Sequence, residues 1–179
     1  SPLSGSLVTL FGGSGYLGNY VAQSLLARGA RLRIASRNPE RSHSLKPLAN
    51  LGQLQFARCN VLNSASVAAA LEGADYVVNL VGSFSGDLEK LMGEAPGAMA
   101  QMAKANGARS FVHVSAIGPD ATSSAAYARG KAMGEEAVRE AFPKATILRP
   151  SIIFGKDDAF LNMFGQMIEM SHALPVFGT

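Results

Sequence analysis

Six short runs rich in Val, Ile, Leu and Phe alternate with longer stretches of helical spacing, at Leu7 to Phe11, Leu32 to Ala35, Leu54 to Arg58, Tyr76 to Val81, Ser110 to Val114 and Thr146 to Leu148. This alternation restricts the fold more than any other feature of the chain. Parallel neighbours cannot be joined by a tight hairpin, and a helix is the compact way to cross from one to the next. Leu17, Val21 and Leu25 form one apolar stripe, and Ser64, Val67, Ala68 and Leu71 mark a shorter helix. Pro39 after Asn38 reads as a first-turn proline behind an N-cap, and Asp87 to Asn106, Ser124 to Phe142 and Phe160 to Met170 are further helical stretches. Gly29, Gly73 and Gly107 follow helical patterns where a left-handed cap is wanted. The expected architecture is α/β, a doubly wound parallel sheet of six strands.

Composition narrows the class. The chain has 179 residues, 47% hydrophobic and 16% charged, with 19 glycines, which excludes disordered and collagen-like chains and fits one domain over residues 1–179. The single Cys59 cannot form an internal disulfide, and His43, His113 and His172 have no zinc-ligand spacing, so a reducing compartment and no metal are expected. No apolar run reaches the roughly 18 residues needed to span a bilayer, and neither a leader peptide nor a repeat is evident. The net charge of +3 gives no reason to expect nucleic-acid binding. The first third is nevertheless basic, with Arg28, Arg31, Arg33, Arg37, Arg41, Lys46 and Arg58 against the lone acid Glu40. Either a solvated basic face or a site for something anionic accounts for that.

The first strand runs directly into Gly12-Gly13-Ser14-Gly15-Tyr16-Leu17-Gly18, which opens the first helix. A pyrophosphate needs unobstructed backbone N–H groups at a helix N-terminus, where the helix dipole also favours its charge. Gly12 or Gly13 permits the tight turn, Gly15 a close approach to phosphates, and Gly18 close packing of helix on sheet. Such a string after a strand and before a helix points to a Rossmann-like dinucleotide site. At the end of the second strand, where an NAD site usually has a carboxylate for the adenosine ribose, stands Ala35-Ser36-Arg37-Asn38. Arg37 offers a fork of donors to a 2′-phosphate and Ser36 a hydroxyl, with Arg41 in support. NADP(H) is therefore the preferred cofactor and NAD(H) the alternative.

Twelve residues after Ser115, at the end of the fifth strand, comes Tyr127-Ala128-Arg129-Gly130-Lys131. Residues four apart share a helix face, so Lys131 is placed to lower the Tyr127 pKa and make that phenol an acid or base beside a substrate oxygen. Lys131 is also placed to hold the nicotinamide ribose.

On these motifs the chain resembles the short-chain dehydrogenase/reductase superfamily, in its extended or atypical branch, from Leu7 onward. Within it the closer likeness is to the nucleotide-binding accessory subunits of respiratory complex I and their bacterial relatives. That likeness is carried by Val8 to Gly15, Phe111 to Ser115, Tyr127 to Lys131, and Leu148-Arg149-Pro150-Ser151-Ile152-Ile153-Phe154-Gly155 with Asp157, Asp158 and Phe160-Leu161-Asn162. The resemblance implies a tightly held NADP(H), with Asn60 and Val61 near the adenine, Leu80, Val81 and Gly82 along the cofactor, and Pro150 to Ile153 beside the nicotinamide. It also implies complex I subunits as partners, and a cytoplasmic position or one peripheral to the cytoplasmic or matrix face of an energy-transducing membrane. Extended members continue into a small C-terminal substrate domain, so the sequence reads as a fragment.

Two departures bear on catalysis. The superfamily's substrate-anchoring Ser or Thr near the end of the fifth strand is replaced by Ile117, with Ser115 two residues early and Ser123 or Ser124 as stand-ins. Cys59-Asn60 replaces a more usual Gly-Asp. The leading expectation is a non-catalytic NADP(H)-binding accessory or assembly subunit of NADH:quinone oxidoreductase. The alternative is an active oxidoreductase or epimerase using Tyr127 and Lys131 on a small carbonyl or hydroxyl substrate. His113 reads as a hydrogen-bonded core histidine, Cys59 as a core filler, Asn79 as a hydrogen-bonding residue, and Asp157 and Asp158 as helix caps.

Overall fold

The computed structural model describes residues 3–151 and 153. Six parallel strands form one sheet in the order β3-β2-β1-β4-β5-β6: β1 (Leu7–Phe11), β2 (Arg31–Ser36), β3 (Leu54–Arg58), β4 (Tyr76–Asn79), β5 (Ser110–Val114) and β6 (Thr146–Leu148). The chain winds outward from β1 to β3, then returns to place β4 on the other side of β1, with Phe11 paired to Ala35 and to Asn79. That reversal opens a crevice at the carboxyl ends of β1 and β4, where open α/β sheets bind ligands.

Alternation along the strands feeds two cores. Val8, Leu10, Leu32 and Ile34 face α1 (Tyr16–Ala27) and a 3-10 helix at Pro39–Leu48, through Ala22, Leu26 and Leu45. Phe11, Val77 and Phe111 face the other way, toward α2 (Ser64–Leu71), α3 (Ala95–Ala105) and α4 (Ala126–Ala141), packing among Val67, Leu71, Met99 and Val138. The central strands of this layered arrangement present alternate side chains to the two cores, whereas β6, at the edge, gives only Ile147 to one of them.

The strands and most helices fall where their sequence patterns put them, and Gly29, Gly73 and Gly107 have φ of 81°, 67° and 78°. Three local details differ. The fourth strand stops at Asn79, because its side chain accepts the Val81 N–H at 3.0 Å and turns the chain out of the ladder. Asn38 occupies the N-cap position, but its side chain makes no cap bond, and the helix it opens is 3-10 with Pro47 inside. The stretch from Asp87 contains a π-helical turn at Lys90–Glu94 before α3 begins. Pro96 has no N–H to give the Met92 carbonyl, and that oxygen instead lies against Gly134 of α4, where a Cβ would overlap it. The expected helix at 160–170, and the caps Asp157 and Asp158, lie outside the described residues.

Candidate functional site

The glycine turn sits in the crevice, and its residues divide the work. Gly12 has φ +76°, and a Cβ on it would come 3.1 Å from Leu80 C and Val81 N, so the tight turn against the end of β4 belongs to Gly12. A Cβ on Gly18 would lie 2.6 Å from the Gly12 oxygen and the Gly13 Cα, so α1 can seat on the turn only through glycine. Gly13 is hemmed in by Ile34 and Leu10, with a Cβ 3.0 Å from Ile34 Cγ2. Gly15 is the N-cap of α1, donates to Gly12 O at 3.1 Å, and offers no side-chain cap to the first helical amides. Tyr16, Leu17 and Gly18 thus begin a helix whose amino end is open to an anion.

Ser14, Gly15 and Tyr16 line an open cleft of about 480 Å³ whose wall also includes Arg41. Ser42, next along the 3-10 helix, reaches back to Gly13 O at 3.4 Å and ties the helix to the turn. Arg37 is exposed at the end of β2, and Ser36 Oγ is buried with no hydrogen-bond partner. Much of the remaining basic charge of the first third has structural employment. Arg33 donates to Ala70 O and Glu72 O, Arg28 caps Ser24 O, and Arg58 pairs with Glu40. Glu40's carboxyl is held below its usual range by its own backbone amide and then by Arg58, consistent with a first-turn carboxylate.

After β3, Asn60 is exposed and Val61 packs partly against the core. The Asn60 side chain accepts from Leu62 N at 3.1 Å, and its carbonyl accepts from Ser66 Oγ at 2.7 Å. Cys59 is buried, and burial pushes its thiol up, as fits an inert filler. Leu80 donates to Phe11 O at 2.9 Å, and Gly82 lies beside Lys131, whose Nζ would be 3.8 Å from a Cβ there.

On α4 the spacing Tyr127, Lys131, Glu135, Val138 puts a polar run and then the apolar core on one sheet-facing stripe. Lys131 Nζ stands 5.8 Å from the Tyr127 ring and donates to Val114 O at 3.4 Å. The Tyr127 ring is stacked on the exposed Phe84 at 5.0 Å. Contrary to the expected lowering, burial raises the Tyr127 pKa, and the nearby ammonium does not reverse it. Burial also lowers the Lys131 pKa, opposed by Glu135.

Ser115 is buried, and its Oγ has no hydrogen bond within ordinary distance, though it lies close enough to help hold Glu135 ionised. It faces the underside of α4. Ser123 and Ser124 are engaged locally: Ser123 Oγ accepts from Ala125 N, and both carbonyls accept from Arg129. Ile117 is 70% exposed, and its N–H donates to Pro150 O at 2.9 Å. That bond joins the loops after β5 and β6, and Ile153 lies exposed just beyond. Asn79 Nδ2 lies 3.1 Å from His113 Nδ1, and burial lowers the His113 pKa to about 4, so His113 is the hydrogen-bonded core histidine its strand position suggested.

Two residues of the site escaped the sequence reading, Glu135 and Phe84, and Arg149 entered it only as part of the Leu148 to Gly155 likeness. Glu135 had a signal, a charged residue one turn beyond Lys131 on a stripe that continues into core. Among the described residues no group of three or more His, Cys, Asp or Glu could hold a metal.

A parallel sheet with an uncapped glycine turn at its topological reversal defines a dinucleotide-binding class of α/β domain. The chain belongs to the NAD(P)H-binding family, whose model matches residues 12–161. It is 37% identical over 169 residues to the mitochondrial NADH dehydrogenase (ubiquinone) 1 alpha subcomplex subunit 9 of Mus musculus, covering 92% of this chain and 45% of that protein. The corresponding Arabidopsis thaliana subunit is 32% identical over 186 residues, covering 99% and 46%. The chain thus spans about half the length of these curated relatives. Among solved structures, Pen from Bacillus thuringiensis matches with a TM-score of 0.77 at 16% identity, over 98% of this chain and 60% of that one. A short-chain dehydrogenase/reductase superfamily protein from Agrobacterium tumefaciens, with bound NAD, matches with a TM-score of 0.66 at 19% identity, over 80% and 48%. Both likenesses bear on the fold.

Proposed function

We propose that this domain binds NADP(H) in preference to NAD(H) and serves as a non-catalytic accessory or assembly subunit of NADH:quinone oxidoreductase. The residues present suit the cofactor. The glycine turn leaves bare main-chain amides at the amino end of α1, which carries no side-chain cap, and Ser36 Oγ is a buried group without a partner. In this reading the backbone from Gly12 to Gly18 holds the diphosphate, and Ser36 and Arg37, with Arg41, hold the 2′-phosphate. Asn60 and Val61 border the adenine. Leu80, Val81 and Gly82 run along the cofactor, Lys131 and Tyr127 meet the nicotinamide ribose, and Pro150 and Ile153 flank the ring. The bound cofactor's own chemistry is hydride transfer; the residues here bind and orient it.

The observation that carries the non-catalytic reading is at the substrate side of Tyr127. Ile117, apolar and 70% exposed, stands where the superfamily anchors a substrate oxygen, while Ser115 is buried toward Glu135. A raised phenol pKa, with Phe84 stacked on the ring, also argues against an active acid or base. The partner assignment draws on the mouse and Arabidopsis relatives, which are subunits of that oxidoreductase by name. It brings with it a position peripheral to the cytoplasmic or matrix face of the membrane. No helix among the described residues is long and apolar enough to cross one.

Titration of the purified chain with NADPH and NADH, beside Arg37→Ala, tests the cofactor. Arg37→Ala is expected to weaken NADPH about tenfold or more and leave NADH unchanged, because a charge-assisted phosphate contact contributes about 1.5–3 kcal/mol. Equal affinities that ignore the substitution would remove the 2′-phosphate argument. Co-purification with the respiratory complex tests the partner. The second reading, an active oxidoreductase, draws on Lys131 and Tyr127 sharing one face of α4. It requires turnover with carbonyl substrates that Tyr127→Phe abolishes; the leading reading expects neither.

A further inference from the structure

We propose that Glu135 is a positioning residue for the nicotinamide half of the site, its carboxylate, braced by Arg149, supplying the fixed counter-charge that holds the Lys131 ammonium at the crevice between β4 and β5. The proposal rests on the dinucleotide reading above.

Lys131 and Glu135 are 4% and 2% exposed, on successive turns of the sheet-facing stripe of α4. A buried charge without an opposite charge or strong hydrogen bonds is unstable. Lys131 has little else: its bond to Val114 O is long, at 3.4 Å, and the Tyr127 ring is 5.8 Å away. An ammonium has three donors, so donors remain for ligand hydroxyls next to Gly82. Glu135, one turn further along α4, is the charge that opposes the effect of burial on Lys131; it acts through space, since its direct ion pairs are with Arg139 and Arg149. Tyr127 on α4 is neutral, and Asn79 on β4 carries no charge. His113 on β5 is neutral, pushed down to about 4 by burial and by Lys131 itself.

Glu135 is itself held rigidly. Arg149 Nε donates to its two oxygens at 2.8 and 3.1 Å, Arg149 NH2 donates at 2.6 Å, and Arg139 lies at 3.3 Å. Both arginine side chains are half or more exposed, so water could solvate them without the carboxylate; Lys131 has no such alternative. Although burial pushes the Glu135 carboxyl up, the hydrogen bonds from Arg149, the proximity of the Ser115 hydroxyl and the two guanidinium charges hold it below the usual range. The same brace reaches the loop after β6, because Arg149 precedes Pro150, whose carbonyl takes the Ile117 N–H.

Glu135→Gln keeps the shape and removes the charge. Calorimetric titration of the whole chain is expected to show NADPH bound about tenfold more weakly, a loss that grows as pH rises because Lys131, without its counter-charge, gives up its proton earlier. Affinity for 2′,5′-ADP, which lacks the nicotinamide half, is expected to stay unchanged, and Glu135→Asp to recover most of the NADPH affinity. Unchanged NADPH affinity, or an equal loss for both ligands, would overturn the proposal. Absence of binding of either ligand by the unsubstituted chain would instead overturn the dinucleotide reading. Should Glu135→Gln not fold, NMR titration of labelled lysine in the unsubstituted chain decides: a Lys131 that keeps its charge throughout the pH range in which NADPH binds supports the counter-charge, and one already neutral within that range refutes it.

Discussion

At the scale of single residues, the site is governed by where a methyl group or a proton can be accommodated. Gly18→Ala would drive a Cβ to 2.6 Å from backbone atoms of the turn, which cannot rotate away. Urea denaturation is expected to show a loss of about 1–3 kcal/mol, together with weaker dinucleotide binding. His113 carries a pH signature. Its pKa is about 4 in the folded protein against 6.5 for a free side chain, through burial first and Lys131 second. The unfolded chain therefore takes up a proton as pH falls through 6.5, which the folded chain refuses until about 4. Stability is full above that window and is lost on acidification, by about 2 kcal/mol at about pH 5. His113→Gln should flatten the stability profile between about pH 6.5 and about pH 5, where few carboxylates titrate; an unchanged slope would refute the assignment.

At the scale of elements, α4 and the helical stretch before it meet through glycines. A Cβ on Gly130 would lie 2.9 Å from Leu88 O, one on Gly97 would lie 2.6 Å from the Ala137 Cβ, and one on Gly134 would overlap Met92 O. Gly134→Ala should therefore destabilise by about 2 kcal/mol or more, since the obstacle is a carbonyl in a π-helical turn. Gly97→Ala meets a side chain instead, and Ala137→Gly in the same protein should restore most of its loss in thermal unfolding. Such close approach was not legible beforehand. Helical spacing marks the stretch from Asp87 as one element, and Pro96 hints at an interruption, but the form it takes depends on the neighbour that receives the Met92 carbonyl.

At the scale of the whole molecule, the sheet order makes one crevice from segments far apart in the chain: the turn after β1, the ends of β2 and β3, the loop after β4, and α4. A ligand binding there should stabilise all of them together. At a concentration a hundredfold above its dissociation constant, NADPH should add about 2.7 kcal/mol, raising the midpoint of thermal unfolding by roughly 5–10 °C, with a smaller rise for NADH at equal concentration.

The strands, the glycine turn, the Tyr127 and Lys131 face and the burial of Cys59 were legible in the sequence, because each follows from local periodicity or from the space a residue type occupies. Tertiary structure alone decided which way groups point and what charges surround them. It buried Ser115 under α4, laid Phe84 on Tyr127, raised a phenol pKa that spacing suggested would fall, and joined Glu135 to Arg149 across the gap from helix to sheet. Periodicity is a property of a segment, whereas burial and electrostatic environment belong to the set of segments that pack together.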